Sequence, residues 1–195
     1  MADILDRNLY FVREHVGMFK AANNYDIYDP DTGEVILHCR EPHLGFFTKV
    51  LRFSDWKRAT PFDVRVTTPD GRPVLSVRRG VSILLSKVEV SDAREMVLGG
   101  FQQKFFSIGG KFELQDNGGK PLCTLAGKWT GWDFRFTREG QELAHVTKKW
   151  AGAGRELFTT ADNYALKISN SVPPGAPLRK LILGAVLCID MVLKE

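Results

Sequence analysis

Hydrophobic and polar side chains alternate along most of the first 170 residues of the chain. In segment 62–67, Phe62, Val64 and Val66 are separated by polar residues, and segment 132–136 places aromatic residues at the same spacing. A period of two directs one set of side chains to a core and the other to water, which is typical of β-strands in an antiparallel sheet. The pattern therefore predicts an all-β protein.

Clusters of Asp, Asn, Pro and Gly separate these segments and predict hairpin turns, because such residues accept the positive φ angles of tight turns. The clusters lie at 29–33, 68–71, 116–119 and 137–140. Residues 91–94 lie between two apolar triplets, which favours a fifth hairpin over a short helix. Consecutive hairpins predict an antiparallel meander that closes into a barrel or large sandwich, because closure removes exposed strand edges. Without a linker or a composition break, we expect one domain over 1–195.

The C-terminal segment breaks the alternation. Residues 181–193 read LILGAVLCIDMVL, with Asp190 as the one charged side chain and no polar stripe. A helix of this composition needs apolar surroundings on every side. Its length of about 20 Å falls short of the roughly 30 Å hydrocarbon layer of a membrane. The sequence therefore predicts a helix over about 178–193, buried inside the barrel, with Asp190 hydrogen-bonded near its end.

Composition and charge narrow the class of protein. The 195 residues are 44% hydrophobic and 26% charged, which fits one folded domain and excludes a disordered chain. The net charge of +4 permits attraction to anionic lipid or nucleic acid without requiring it. Cys39, Cys123 and Cys188 form no CxxC pair, and the first residues do not read as a secretory signal. These features predict a cytoplasmic protein.

The sequence contains no recognisable catalytic constellation. There is no HExxH, GxSxG or phosphate-loop motif, so we expect a protein that is not an enzyme. His38, Cys39 and His43 do not have the spacing of a common zinc site and are interpreted as strand-end residues with local hydrogen bonds. The glycine pairs 99–100 and 109–110 do not open helices, so they predict bends in strands instead of phosphate-binding loops.

Three segments carry a resemblance to a known family. They are ANNYDIYDPDTGEVI (22–36), HVTKKWAGAGRELFTTADNYALKIS (145–169) and LGAVLCIDMVLKE (183–195). They resemble the opening hairpin, the Gly/Lys/Trp stretch and the closing helix of the phospholipid scramblase family and its LURP-one-related cousins, in the Tubby C-terminal-like superfamily. The resemblance implies a closed antiparallel β-barrel of about twelve strands around a buried C-terminal hydrophobic helix.

The resemblance also implies a function. Family members are peripheral proteins that bind phospholipid membranes and promote movement of phospholipid between leaflets, which makes and breaks no bonds. We therefore expect a cytoplasmic protein whose partner is an anionic phospholipid surface, on which it lies peripherally. The alternative is a soluble β-barrel scaffold that binds a protein or nucleic acid, although nucleic acid is the weaker choice because no base-stacking motif is visible.

Basic residues at the ends of predicted strands are the candidate lipid ligands. If equivalent strand ends gather at one rim, they form a cationic face, and each Lys or Arg near an anionic membrane contributes about 1 kcal/mol. Tryptophan favours the same interface. The alternative is that the cations protect strand edges and the tryptophans fill the core. The candidate residues are Arg78, Arg79, Lys148, Lys149, Trp150, Arg179 and Lys180.

The resemblance implies a calcium-binding segment next to Ala161. Thr160 stands where the family has an Asp, which leaves Asp162 and Asn163 as oxygen donors. Because Ca²⁺ usually takes six to eight oxygen ligands, this pair predicts a weak and degenerate metal site. No cofactor is therefore expected with certainty. The stretch 81–90 lacks the cysteines of lipidated family members, so palmitoylation is not expected there.

Overall fold

The computed structural model describes residues 4–15, 24–42, 60–80, 87–103, 111–128, 131–149 and 163–193. Within these residues the chain forms a short 3-10 turn (Ile4–Asp6), twelve strands and one long helix. The strands are β1 (Leu9–Glu14), β2 (Tyr25–Tyr28), β3 (Val35–Arg40), β4 (Phe62–Thr67), β5 (Pro73–Arg79), β6 (Lys87–Asp92), β7 (Val97–Gln103), β8 (Phe112–Asp116), β9 (Pro121–Lys128), β10 (Asp133–Arg138), β11 (Gln141–Thr147) and β12 (Asn163–Ile168). The helix is α1 (Pro177–Leu193).

The strands form a closed antiparallel barrel in simple up-and-down order. Each strand pairs with its neighbours in the sequence, and β12 returns to pair with β1, where Tyr10 lies opposite Leu166. The predicted all-β fold with a closed barrel and a C-terminal helix is confirmed. The closure satisfies the backbone hydrogen bonds of strands that would otherwise lie at an edge of the sheet.

The up-and-down order gives the barrel two different ends. At the turn end, tight turns at 29–34, 68–72, 93–96, 117–120 and 139–140 join the strands, and α1 begins. These turns confirm the predicted hairpins, including the one at 91–94. At the far end, β1, β3, β5, β7, β9 and β11 finish, and α1 ends on the same side.

Helix α1 lies in the lumen of the barrel. All side chains from Leu181 to Ile189 except that of Gly184, which has none, are at most 2% exposed. The predicted buried position of this segment is therefore confirmed, and the helix begins one residue earlier than expected. The side chain of Asp190 lies outside the described residues. Among those residues, none of the helices combines the length and apolar character needed to cross a bilayer.

The helix packs against one side of the barrel, on β5, β6 and β7. On this side the pair Gly99 and Gly100 lets β7 approach its neighbouring strands closely. A Cβ at Gly99 would lie 2.1 Å from the carbonyl oxygen of Gln115, and one at Gly100 would lie 2.1 Å from that of Val88. The opposite side is filled by aromatic side chains that are almost completely buried: Tyr10, Tyr25, Phe134, Phe136 and Tyr164.

Candidate functional site

The predicted lipid ligands do not all lie at one rim. Arg78, Arg79, Lys148 and Lys149 lie at or beside strand ends at the far end, whereas Arg179 and Lys180 lie in the first turn of α1 at the turn end. The expectation that these six residues form one cationic face is therefore wrong. The two ends are separated by the length of the strands. Trp150 and Asp162 fall outside the described residues.

Arg179 is an internal structural residue. Its guanidinium is 3% exposed and donates to the carbonyl oxygens of Arg7 at 2.8 Å and Val172 at 2.8 Å and to Oδ1 of Asn8 at 2.7 Å. These bonds connect the N-terminal segment to the start of α1. A buried guanidinium whose donors are occupied in this way does not reach a membrane surface, so the lipid-binding prediction for Arg179 is wrong.

Arg79 points into the barrel at the far end. The inward positions of β5 are Leu75, Val77 and Arg79, and the Arg79 side chain is 4% exposed. Its guanidinium donates to the carbonyl oxygen of Thr60 at 2.6 Å and lies 4.8 Å from the centroid of the Phe62 ring. A cation beside the C-terminal half of α1 complements the negative end of the helix dipole. The structure therefore assigns Arg79 a role in the core, contrary to the predicted surface role.

Arg78 lies on the outer face but is neutralised by carboxylates. It pairs with Asp63 at 3.3 Å and with Glu95 at 2.6 Å. Burial alone would lower the pKa of Arg78, but these two carboxylates outweigh it and raise the pKa above its ordinary value. A cation that already has two anionic partners has little attraction left for a phosphate group.

Five lysines lie at or beside strand ends at the far end of the barrel. Lys87 begins β6, Lys111 precedes β8, Lys128 ends β9, and Lys148 and Lys149 follow β11. We call these five residues the lysine rim. Among the described residues, no ion pair joins Lys87, Lys128, Lys148 or Lys149 to a carboxylate. Sequence reasoning omitted Lys87 and Lys111 because their strands have no basic pair, although both stand at a strand end on the correct side of the meander.

Three carboxylates close to the far end are paired with other groups. Asp26, Asp63 and Asp133 each contact Arg or His on the outer face of the barrel. The turn end carries basic side chains such as Arg72, Lys120 and Lys180 and also many acidic side chains. The acidic residues are Asp29, Asp31, Glu34, Asp70, Asp92, Glu95, Asp116 and Glu139. The turn end therefore carries charges of both signs, whereas the far end is distinguished by the lysine rim.

A tryptophan is held at the lysine rim. Trp132 stacks on Tyr164 with ring centroids 5.3 Å apart, and the Lys148 ammonium lies 4.0 Å from the centroid of the Trp132 ring. Trp132 has a positive φ of 47°, which is uncommon for a bulky residue. The contacts hold an amphipathic ring beside a cation at the end of the barrel, a combination suited to the interface between lipid headgroups and acyl chains.

Asp26 organises a polar cluster on the outer face near the far end. The carboxylate is 7% exposed and contacts His15 at 2.6 Å, His38 at 2.7 Å and Arg40 at 2.5 Å. Burial alone would raise the pKa of Asp26, but hydrogen bonds from these three residues outweigh it and hold the pKa below its ordinary value. Asp26 is therefore ionised at neutral pH and anchors three cationic or polar side chains.

The residues considered for metal binding do not converge. His38 points outward to Asp26, whereas Cys39 points into the core and is fully buried. His43 lies outside the described residues, and Asn163 is buried at the start of β12. Within the described ranges, no group of His, Cys, Asp and Glu is arranged to hold a metal ion.

The three cysteines are buried and poorly suited to nucleophilic chemistry. Burial raises the pKa of the Cys123 thiol to about 12, and it also raises the pKa values of Cys39 and Cys188. Because the thiolate is the reactive form, these side chains are unreactive at neutral pH. They serve to fill the core.

A closed twelve-strand antiparallel barrel around a C-terminal helix resembles a Tubby-like fold. The sequence profile of the Scramblase family matches residues 7–195. The chain therefore belongs to the Scramblase family.

Individual relatives are distant. The chain is 23% identical over 153 residues to human phospholipid scramblase 2, which covers 71% of this chain and 51% of the relative. It is 23% identical over 150 residues to mouse phospholipid scramblase 1, which covers 69% of this chain and 45% of the relative. The chain thus spans about half the length of the curated relatives it matches.

One solved structure shares the fold. An X-ray structure of a protein from Arabidopsis thaliana superposes with a TM-score of 0.53 at 14% identity and covers 96% of this chain and 94% of its own. At this identity the likeness concerns the fold alone. It supports a fold of this kind for the whole chain.

Proposed function

We propose that this chain is a scramblase-like protein that binds anionic phospholipid membranes peripherally through the lysine rim. The observation that carries the proposal is the collection of five lysines at one end of the barrel. Each lysine close to an anionic surface contributes about 1 kcal/mol, and the attraction decreases beyond a Debye length of roughly 8 Å in physiological salt. The names of the relatives support phospholipid as the partner.

The lysine rim sets the orientation of the barrel in this proposal. Lys148 and Trp132 would meet the headgroups, and the turn end would point away from the membrane. Aromatic residues and lysines are the pair of residue types that favour the membrane interface.

Movement of phospholipid between leaflets would have to occur outside the barrel. Inward side chains such as Tyr10, Phe134 and Phe136 are at most 1% exposed, and α1 occupies the rest of the lumen that the structure describes. A phospholipid headgroup therefore finds no path along the barrel axis through the described residues. We propose that scrambling, if the chain performs it, follows from perturbation of the bilayer by the rim.

Flotation on liposomes tests the membrane proposal. Wild-type protein should float with vesicles that contain 30% phosphatidylserine at low salt, and 0.5 M salt should release it. The variant Lys148→Glu/Lys149→Glu should lose most of the binding. Two attractions of about 1 kcal/mol each are removed, and two repulsions are added, so the partition coefficient should fall by at least thirtyfold.

A matched control has the same change in net charge at the turn end. Lys120→Glu/Lys167→Glu reverses two exposed lysines that lie away from the lysine rim. This variant should float within about threefold of wild type. Equal losses in both double variants would show that net charge alone governs binding, and the proposed orientation would be wrong.

A dithionite assay on reconstituted liposomes tests lipid movement and calcium dependence together. We propose that Ca²⁺ has little effect, since Asp162 and Asn163 offer few ligands. Rates should therefore be similar with and without Ca²⁺ and similar for Asp162→Ala. Lipid movement no faster than in empty vesicles would refute scrambling while leaving membrane binding intact.

A further inference from the structure

A large groove opens at the turn end, on the opposite side of the molecule from the lysine rim. It has a volume of about 1040 Å³ and lies between the N-terminal 3-10 turn, the β4–β5 and β6–β7 turns and the first turn of α1. This volume is in the range of small-molecule binding sites. We call it the turn-end groove. It is lined by Ile4, Leu5, Asp6, Arg7, Thr68, Arg72, Pro73, Val74, Ala93 and Lys180.

The groove combines an apolar surface with cations. Ile4, Leu5, Pro73, Val74 and Ala93 provide aliphatic contacts along it. Three cationic side chains and one carboxylate border the same space, which gives the lining a net positive charge. These charged residues are Arg7, Arg72, Lys180 and Asp6.

The charges of the groove are not equivalent. Arg7 pairs with Asp29 at 2.6 Å, and Arg72 pairs with Asp70 at 2.7 Å. The ammonium of Lys180 forms no ion pair with a carboxylate of the described residues. Lys180 is therefore the cation of the groove that is available to a ligand.

Asp92 and Asp6 already accept backbone hydrogen bonds. Asp92 accepts from the amides of Arg94 at 2.8 Å and Met96 at 3.0 Å. These bonds, with a smaller effect of Lys180, hold the pKa of Asp92 below its ordinary value. Asp6 accepts a hydrogen bond from the amide of Gly175 at 2.6 Å.

We propose that the turn-end groove binds one anionic single-chain lipid, with its acyl chain against Ile4, Leu5 and Val74 and its phosphate against Lys180. An amphiphile satisfies both parts of the lining, because the chain buries aliphatic surface while the head meets an unpaired cation. A free phosphate would leave the apolar surface uncovered. A neutral lipid would leave Lys180 without a counter-ion.

This site is independent of membrane binding. The groove and the lysine rim lie at opposite ends of the barrel, so a lipid in the groove would be an isolated molecule and not part of the bilayer under the rim. The lumen is filled by α1, so the ligand would lie on the outside of the barrel and not beside the helix.

Calorimetric titration with 1-oleoyl lysophosphatidic acid, below its critical micelle concentration, tests the proposal. The full chain should bind it saturably at one to one, and native mass spectrometry should show the same complex. Inorganic phosphate alone should not bind at the same concentrations. Lysophosphatidylcholine should bind at least tenfold more weakly, because its choline places a positive charge near Lys180.

Two variants and two matched controls locate the site. Lys180→Gln removes the cation, and Ala93→Trp fills the groove from an exposed turn position; each should weaken binding at least tenfold. Lys120→Gln removes another turn-end lysine, and Met96→Trp enlarges a residue of the same turn that is 56% exposed and does not line the groove. Both controls should bind within twofold of wild type.

The outcomes separate this proposal from the proposed function. Lys180→Gln and Ala93→Trp should still float on anionic vesicles, and Lys148→Glu/Lys149→Glu should still bind monomeric lysophosphatidic acid. The groove proposal is overturned if wild type forms no saturable complex, if phosphate alone binds as well, or if the controls lose binding as much as the test variants.

Discussion

Gly184 lies where α1 comes closest to the wall of the barrel, and an alanine there should destabilise the protein. A Cβ at this position would lie 2.9 Å from Cγ2 of Val90 and 3.4 Å from Cγ2 of Val77. The first distance is shorter than van der Waals contact, and valine has little freedom to rotate away. Overpacking of a core costs about 1–3 kcal/mol, whereas alanine gains roughly 1 kcal/mol of helix propensity over glycine.

The two effects oppose each other, and the steric one should dominate. We expect Gly184→Ala to lower the free energy of unfolding by about 1 kcal/mol. The same substitution at an unhindered helix site would raise it by about that amount. Shortening the neighbour should relieve the clash. In the double variant Gly184→Ala/Val90→Ala, the new methyl group should occupy the space left by the valine, giving a favourable coupling of about 1 kcal/mol or more.

Urea unfolding, followed by tryptophan fluorescence and far-UV circular dichroism, measures each free energy. Val88→Ala is the matched control, because Val88 is fully buried on the same strand but is not among the atoms closest to Gly184. The double variant that carries Val88→Ala should show no coupling. The close-packing argument fails if Gly184→Ala is as stable as wild type, or if Val88→Ala relieves it equally well.

Two further variants test buried polar groups. Asp26→Asn should lower the free energy of unfolding by about 2 kcal/mol near neutral pH. Because folding depresses the pKa of Asp26, the difference from wild type should shrink as the pH falls from the ordinary Asp pKa of roughly 3.9 through the lower folded pKa. The exposed Asp31→Asn should show neither effect, and a pH-independent loss at Asp26 would contradict the charge argument. Arg179→Gln should destabilise by about 3 kcal/mol in thermal unfolding, because several buried carbonyl oxygens lose their donor. Exposed Arg94→Gln is its control, and equal midpoints for the two would refute the role given to Arg179.

Most of the fold could be predicted from the sequence, because local rules determine it. Alternation at 62–67 and turn residues such as those at 68–71 depend on backbone geometry alone, and both are present in the structure. The burial of 181–189 also followed from a local feature, the absence of a polar stripe. The barrel is closed by the pairing of β1 with β12. Periodicity alone left a barrel and a large sandwich open, and the family resemblance favoured the barrel.

The candidate site was less predictable, because the function of a charged residue depends on where its side chain points. Arg78 and Arg79 are adjacent in the sequence, yet one lies outside in ion pairs and the other lies inside against the Phe62 ring. The alternation of side chains along β5 contained this information, because Arg79 lies two residues after Val77 and faces inward as Val77 does. To predict that Arg179 and Lys180 lie at the opposite end from the lysine rim, the number of strands must be known, because each strand reverses the direction of the chain.

The position of α1 after all twelve strands has a consequence for biosynthesis. The strands emerge from the ribosome from β1 onward, but the lumen of the barrel is not occupied until residues 177–193, which form α1, have emerged. Side chains such as Val77, Val90 and Leu114 would meanwhile face an unfilled interior, and collapsed intermediates with exposed apolar surface tend to aggregate. Folding of this barrel should thus be completed only once residues 177–193 have emerged, and a chaperone that shields nascent chains should raise the yield of native protein.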